Sequence, residues 1–163
     1  MRADPEALAR FAACVRSFLE GEWPAWHAYR ARPIPKPLSA GTCQTTSLFL
    51  QQAMDRAGIR AAVLQGNDPD GAEGFLLGGV WHGHAWVEAG GYILDISGDQ
   101  FGLPPTHVEP VGCGRYRAGS DTAGDAAKST RWHLVSLAME EWADGPAPAA
   151  VSAGSAKPRY RAD

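Results

Sequence analysis

Three residue types that together can cleave an amide bond follow one another along the chain: Cys43, His84 and Asp95. A thiolate can attack the carbonyl carbon, an imidazole can move the proton that the leaving amine needs, and a carboxylate can orient that imidazole. Cys43 stands in Gly41-Thr42-Cys43-Gln44-Thr45-Thr46-Ser47, where Gly41 permits a tight entry and the cysteine falls in the first turn of an expected helix. The N-terminus of a helix carries unpaired N–H groups and partial positive charge. Both favour a thiolate over a thiol, and the same N–H groups can bind the oxyanion of a tetrahedral intermediate.

The partner histidine lies in Trp81-His82-Gly83-His84-Ala85-Trp86-Val87-Glu88. Strand alternation puts His84, Trp86 and Glu88 on one face, and Ala85 and Val87 on the other. Ala89-Gly90-Gly91 reads as a hairpin turn into a strand over 92–96. Pairing across that turn sets Asp95 beside Ala85 and His84, within reach of the imidazole. The expected roles are nucleophile for Cys43, acid and base for His84, and orienter for Asp95.

Each of these residues also has a plainer reading. A free cysteine is most often a small buried apolar residue, so Cys43 carries weight only through its two partners. Cys14 sits within a helical apolar stripe and Cys113 in the Gly112-Cys113-Gly114 loop, and neither has a base nearby. His82 is the alternative base, and as His82-x-His84 on one strand it could join Cys43 in holding zinc. The spacing is not diagnostic, so no metal is expected. Trp81 and Trp86 either line a substrate groove or belong to the core. His27, His107 and His133 have no motif around them.

At Gly41-Thr42-Cys43, His84-Ala85-Trp86-Val87-Glu88 and Ile93-Leu94-Asp95-Ile96-Ser97 the chain resembles the transglutaminase-like branch of the papain-like cysteine enzymes. The likeness covers roughly residues 39 to 102. It implies an α+β fold with a Cys-His-Asp triad, the cysteine opening a helix packed on an antiparallel sheet. The Asp95-to-Gln100-Phe101 ending is similar to small bacterial members of that superfamily. The peptide-processing proteins of lasso-peptide pathways are similar through the cysteine helix and the histidine box. An oxyanion side chain of the family type has no match upstream of Cys43, where the sequence is proline-rich, which leaves Gln44 or Gln100 as candidates. Trp86 is a candidate for substrate binding. A peptide or protein substrate is implied and no cofactor.

The elements that must position these residues are legible to different degrees. A helix is expected from Pro5 to Glu20, with Asp4 as N-cap, Pro5 at the first position and Gly21 as the stop. Leu8, Phe11, Ala12, Val15, Phe18 and Leu19 form its apolar stripe. Residues 22–40, with Trp23-Pro24 and the Pro33-Ile34-Pro35-Lys36-Pro37 run, read as an irregular, extended wrap. A second helix over 42–57 carries Cys43 at its start and closes at Gly58. A buried strand over 59–64 follows, then a strand over 75–81 interrupted at Gly78-Gly79, and then the His84 hairpin. A strand near 107–111 and a last helix over 132–142 complete an expected sheet of about four or five strands in one domain, residues 1–143. The tail from 144 to 163 is rich in Ala, Pro, Gly and Ser, too poor in large apolar residues to offset the entropy of ordering.

Bulk properties restrict the function classes. The chain has 163 residues, is 45% hydrophobic and 20% charged, and has a formal net charge of −3, which offers no basic footprint for nucleic acid. No apolar run reaches the length of a membrane span, and the start lacks the apolar region of a secretory signal. Three cysteines without a CxxC spacing fit reduced thiols and a cytoplasmic location.

Overall fold

A computed structural model describes residues 3–142; the tail expected to lack order lies outside them. The first helix, α1, spans Pro5–Tyr29 and runs through both Gly21 and Pro24. The expected stop at Gly21 and the irregular stretch after it are thus corrected. An internal proline removes one helical hydrogen bond and costs about 3 kcal/mol. Here Leu19, Trp23 and Trp26 continue the apolar stripe at helical spacing and are wholly buried, each contributing roughly 2 kcal/mol or more. The Trp23 indole also donates to the Thr46 hydroxyl at 2.9 Å, so tertiary packing outweighs local propensity. Cys14 lies off this stripe and is exposed.

The second helix, α2, covers Cys43–Arg56 and buries Phe49, Leu50, Ala53 and Met54. Seven strands follow before the last helix: β1 Ala61–Gly66, β2 Gly74–Leu77, β3 Val80–His82, β4 His84–Ala89, β5 Tyr92–Asp95, β6 His107–Pro110 and β7 Tyr116–Arg117. They make two antiparallel sheets, one of four strands ordered β1-β4-β5-β6 and one of three ordered β3-β2-β7. The architecture is α+β. The expected single strand over 75–81 is a hairpin, because Gly78 and Gly79 both have positive φ (56° and 79°), which a two-residue type I′ turn requires. Gly90 and Gly91 (59° and 87°) turn β4 into β5 in the same way.

The last helix, α3, spans Asp125–Glu141, beginning earlier than expected. Its first turns, Asp125 to Ser129, are exposed and carry no apolar stripe for a periodicity reading to detect. Its buried residues Leu134, Val135 and Ala138 pack into the main core, and α3 lies against α2. That core also takes Val87, Ala89, Leu94 and Ile96 from one face of the four-stranded sheet. Alternation leaves His84, Trp86 and Asp95 on the opposite face, toward the aromatic side chains of the smaller sheet. Among the described residues no helix is long and apolar enough to cross a membrane.

Candidate functional site

Cys43 is the first residue of α2 and is half-buried. Its approach is set by Gly41, whose φ of 75° suits glycine, and by Thr42 as N-cap. The Thr42 hydroxyl does not cap the helix; it donates back to the Ser39 carbonyl at 2.7 Å. The N-cap side chain therefore leaves the N–H groups of the first turn unoccupied, at the place where an oxyanion beside Cys43 would sit.

His84 opens β4 and Asp95 ends β5. The ladder pairs Val87 with Leu94 and Ala89 with Tyr92. Continued, that register sets Asp95 level with Trp86, one residue on from the expected Ala85. His84 and Asp95 then lie on the diagonal of one face, still within side-chain reach. His84 Nε2 meets Asp95 Oδ2 at 2.7 Å, with the two side chains 0% and 1% exposed.

Burial disfavours the imidazolium, but the Asp95 charge and hydrogen bond, aided by a hydrogen bond and charge from Cys43, push the His84 pKa up to about 10. Burial likewise disfavours the Asp95 carboxylate, and the His84 charge, the His84 hydrogen bond, the Ser97 N–H and the Tyr116 hydroxyl together hold its pKa below the ordinary value. His84 Nδ1 is buried and makes no hydrogen bond of full geometry. With Nε2 engaged by Asp95, Nδ1 is the nitrogen left to exchange a proton with the neighbouring thiol.

Two supports of this pair carry no sequence motif. Tyr116, on the short strand β7, donates its hydroxyl to Asp95 Oδ2 at 2.9 Å. Burial and the Asp95 charge raise the Tyr116 pKa, keeping it a donor. Tyr116→Phe is expected to lower stability by about 2 kcal/mol, as for the loss of a hydrogen bond to a buried charge, read from urea unfolding at neutral pH.

The other support is Arg16 of α1. It donates to the Ile96 carbonyl at 2.9 Å and the Pro105 carbonyl at 3.1 Å, and pairs with Asp99 at 2.8 Å. Asp99 in turn accepts from the Ser39 hydroxyl, which ties the loop leading to Cys43 to the loop leaving Asp95. Asp99→Asn is expected to cost about 2 kcal/mol, because Arg16 keeps Glu20 as a second carboxylate. Restoration of the urea midpoint by Asp99→Glu would show that the charge, not the amide's shape, is responsible.

The remaining sequence candidates fall around this frame. Trp86 is buried, 1% exposed, and its ring lies 6.4 Å from that of His84 and 5.1 Å from that of Tyr116. It is a wall behind the imidazole rather than an open face of a groove. Phe75 and Phe101 close the same box, with ring centroids 6.1 Å and 4.9 Å from the His84 ring.

Gln100 lies in a short 3-10 turn, Gly98–Phe101, and its amide donates to the Ser97 carbonyl at 2.9 Å, which engages it in shaping the loop. Gln44 accepts from Arg131 of α3. His82 and His84 do not share a strand, for His82 ends β3 and His84 begins β4 in the other sheet. Among the described residues no group of three or more His, Cys, Asp or Glu side chains is arranged to hold a metal ion.

Two cavities flank the start of α2, of about 350 Å³ and about 250 Å³, and both are lined by Gln44 and Arg131. No family model, curated protein or solved structure matches the chain.

Proposed function

We propose that the chain is a thiol-dependent acyl-transfer enzyme acting at amide bonds of a peptide or protein, on a papain-like or transglutaminase-like domain, with Cys43 as nucleophile. One observation carries this reading: a fully buried His84–Asp95 pair lies beside a half-buried thiol at a helix start. Such a pair is costly to bury for stability alone, and a strongly perturbed histidine next to a cysteine is what nucleophilic catalysis needs.

In the proposed reaction Cys43 Sγ attacks the carbonyl carbon and the oxyanion forms against the first-turn N–H groups of α2. The C–N bond breaks as His84 delivers its proton to the leaving amine, which leaves a thioester on Cys43. Water or a primary amine then gives a proton to His84, attacks the thioester and releases the thiolate. Water as acceptor gives peptidase or deamidase activity, and an amine gives transamidation. No cofactor takes part in these steps.

The test is competitive labelling with iodoacetamide near neutral pH, read by peptide mass mapping. Cys14 and Cys113 are exposed whereas Cys43 is not fully so, and accessibility alone would make Cys43 the slowest. The expected result is the reverse: Cys43 reacts at least about tenfold faster than either, and His84→Ala abolishes the advantage. Equal rates, unchanged by His84→Ala, would refute the activated nucleophile.

A further inference from the structure

The larger cavity beside Cys43 is lined by three guanidinium groups, Arg30, Arg32 and Arg131, and, among the described residues, by no carboxylate. Thr42 and Gln44, the residues on either side of Cys43, also line it. Arg30 and Arg32 come from the connection that directly follows α1, and Arg131 from α3, so two segments far apart in the chain converge on one space.

The local compensation for this charge is incomplete. Arg131 pairs with Asp121 at 2.9 Å and donates to Gln44. Arg30, half-buried, has only the Thr45 hydroxyl as side-chain partner among the described residues. Burial opposes its charge, and so do Arg32 and Arg131, while Cys43 alone favours it. Three neighbouring guanidinium groups, two of them partly withdrawn from water, share a single acid, Asp121, and a further anion joining them relieves their mutual repulsion. The planar, multi-donor guanidinium matches a carboxylate in two-pronged geometry.

We propose that this cavity is a substrate subsite that recognises a carboxylate placed next to the amide attacked by Cys43. The proposal rests on the acyl-transfer reading for its biological use, but the binding itself does not depend on thiol chemistry. The cavity, about 350 Å³ in volume, has room for an acidic side chain or a C-terminal carboxylate; both offer the same two oxygens. Arg32 is exposed and can meet the incoming group first. Arg30 and Arg131 are held by Thr45, Gln44 and Asp121, so they are ordered before binding, which reduces the entropy lost on association.

The experiment uses the full chain and three small probes: N-acetylglutamate α-amide, N-acetylglutamine and the neutral N-acetylglutaminamide. Calorimetry reads binding directly, and slowing of Cys43 alkylation by iodoacetamide reads occupancy beside the thiol. The expected result is that one or both acidic probes bind at least about tenfold more tightly than the neutral one, as for hydrogen bonds to a charged group, and protect Cys43 saturably. Preference for the first assigns an acidic side chain, and preference for the second a C-terminal carboxylate.

Arg32→Gln, an exposed change that should fold, is expected to weaken the acidic probes several-fold and the neutral probe not at all. Added salt should weaken them as well. Three outcomes would overturn the subsite: equal binding of acidic and neutral probes, no loss in Arg32→Gln, or inorganic phosphate binding more tightly than either acid. If Cys43 shows no enhanced alkylation yet the acidic probes bind with these properties, the acyl-transfer reading fails and the carboxylate site stands.

Discussion

Asp95→Asn is expected to slow alkylation of Cys43 by iodoacetamide near neutral pH by roughly one to two orders of magnitude, because the thiol loses the cationic imidazole beside it. The chain of cause runs through the imidazole. His84 is fully buried, and burial alone would make it neutral; the Asp95 charge is the largest influence acting the other way. Asparagine keeps the side chain's shape and can still accept from His84 Nε2, the Ser97 N–H or Tyr116, but it cannot compensate a buried imidazolium. The ring then loses its proton and the positive charge beside Cys43 goes with it.

Nitrogen NMR of His84 provides the independent reading: an imidazolium at pH 7 in the native protein and a neutral ring in Asp95→Asn. Asp95→Ala removes an acceptor used by His84, Ser97 and Tyr116 at once and is expected to cost about 3–5 kcal/mol of stability as well. A slowed thiol in a stable, well-folded Asp95→Asn protein is what separates the charge from the scaffold. If Cys43 keeps its rate while His84 turns neutral, the pair is structural and plays no part in activating the thiol.

Much of this frame was legible from residue patterns, and what was hidden was hidden for physical reasons. The hairpin bearing His84 and Asp95 shows itself through alternation and a glycine pair whose turn geometry few other residues allow. Its register was missed by one residue, since the pairing of Ala89 with Tyr92 depends on where the strand ends meet the turn.

Beyond Glu20, α1 was illegible because Gly21 and Pro24 are local signals, whereas the burial of Trp23 and Trp26 under the rest of the protein is not. The bend of β2 into β3 was visible as Gly78-Gly79 but read as a break, for a strand this short shows no periodicity. Arg16 carries no sequence signal, because its partners Ile96, Asp99 and Pro105 are brought to it only by the fold. Tyr116 was silent for the same reason: a two-residue strand carries no pattern, and its bond to Asp95 spans two sheets. The three arginines of the cavity come from two segments far apart in sequence, with α2 between them, and no motif can gather them.

The pH dependence of folding should carry the signature of the same buried pair. The His84 pKa rises from an ordinary 6.5 to about 10 on folding, so the folded protein binds a proton that the unfolded chain releases. The stability this contributes is fully present below pH 6.5 and is lost as pH rises toward 10, by up to about 1.4 kcal/mol per pH unit across that window. Asp95 acts in the opposite sense: its pKa is lowered from 3.8, so its contribution is present above that value and is lost as pH falls through the depressed one. The expected profile is a plateau between the two limbs, with an alkaline decline of several kcal/mol that begins well before ordinary lysines or tyrosines titrate.

Urea midpoints measured from pH 5 to 10 test this. In Asp95→Asn the alkaline decline should largely vanish. Burial then sets the His84 pKa below its unfolded value, and the sign of its contribution reverses, with stability lost on acidification below about pH 6.5. His84→Gln, which removes the titrating group, should flatten both effects while Asp95 stays hydrogen-bonded to Tyr116 and Ser97. Parallel curves for all three proteins would mean that the imidazole is not held charged in the fold. Mirror-image slopes in the native protein and Asp95→Asn would place a stored proton on His84, between the carboxylate that holds it and the thiol for which it is poised.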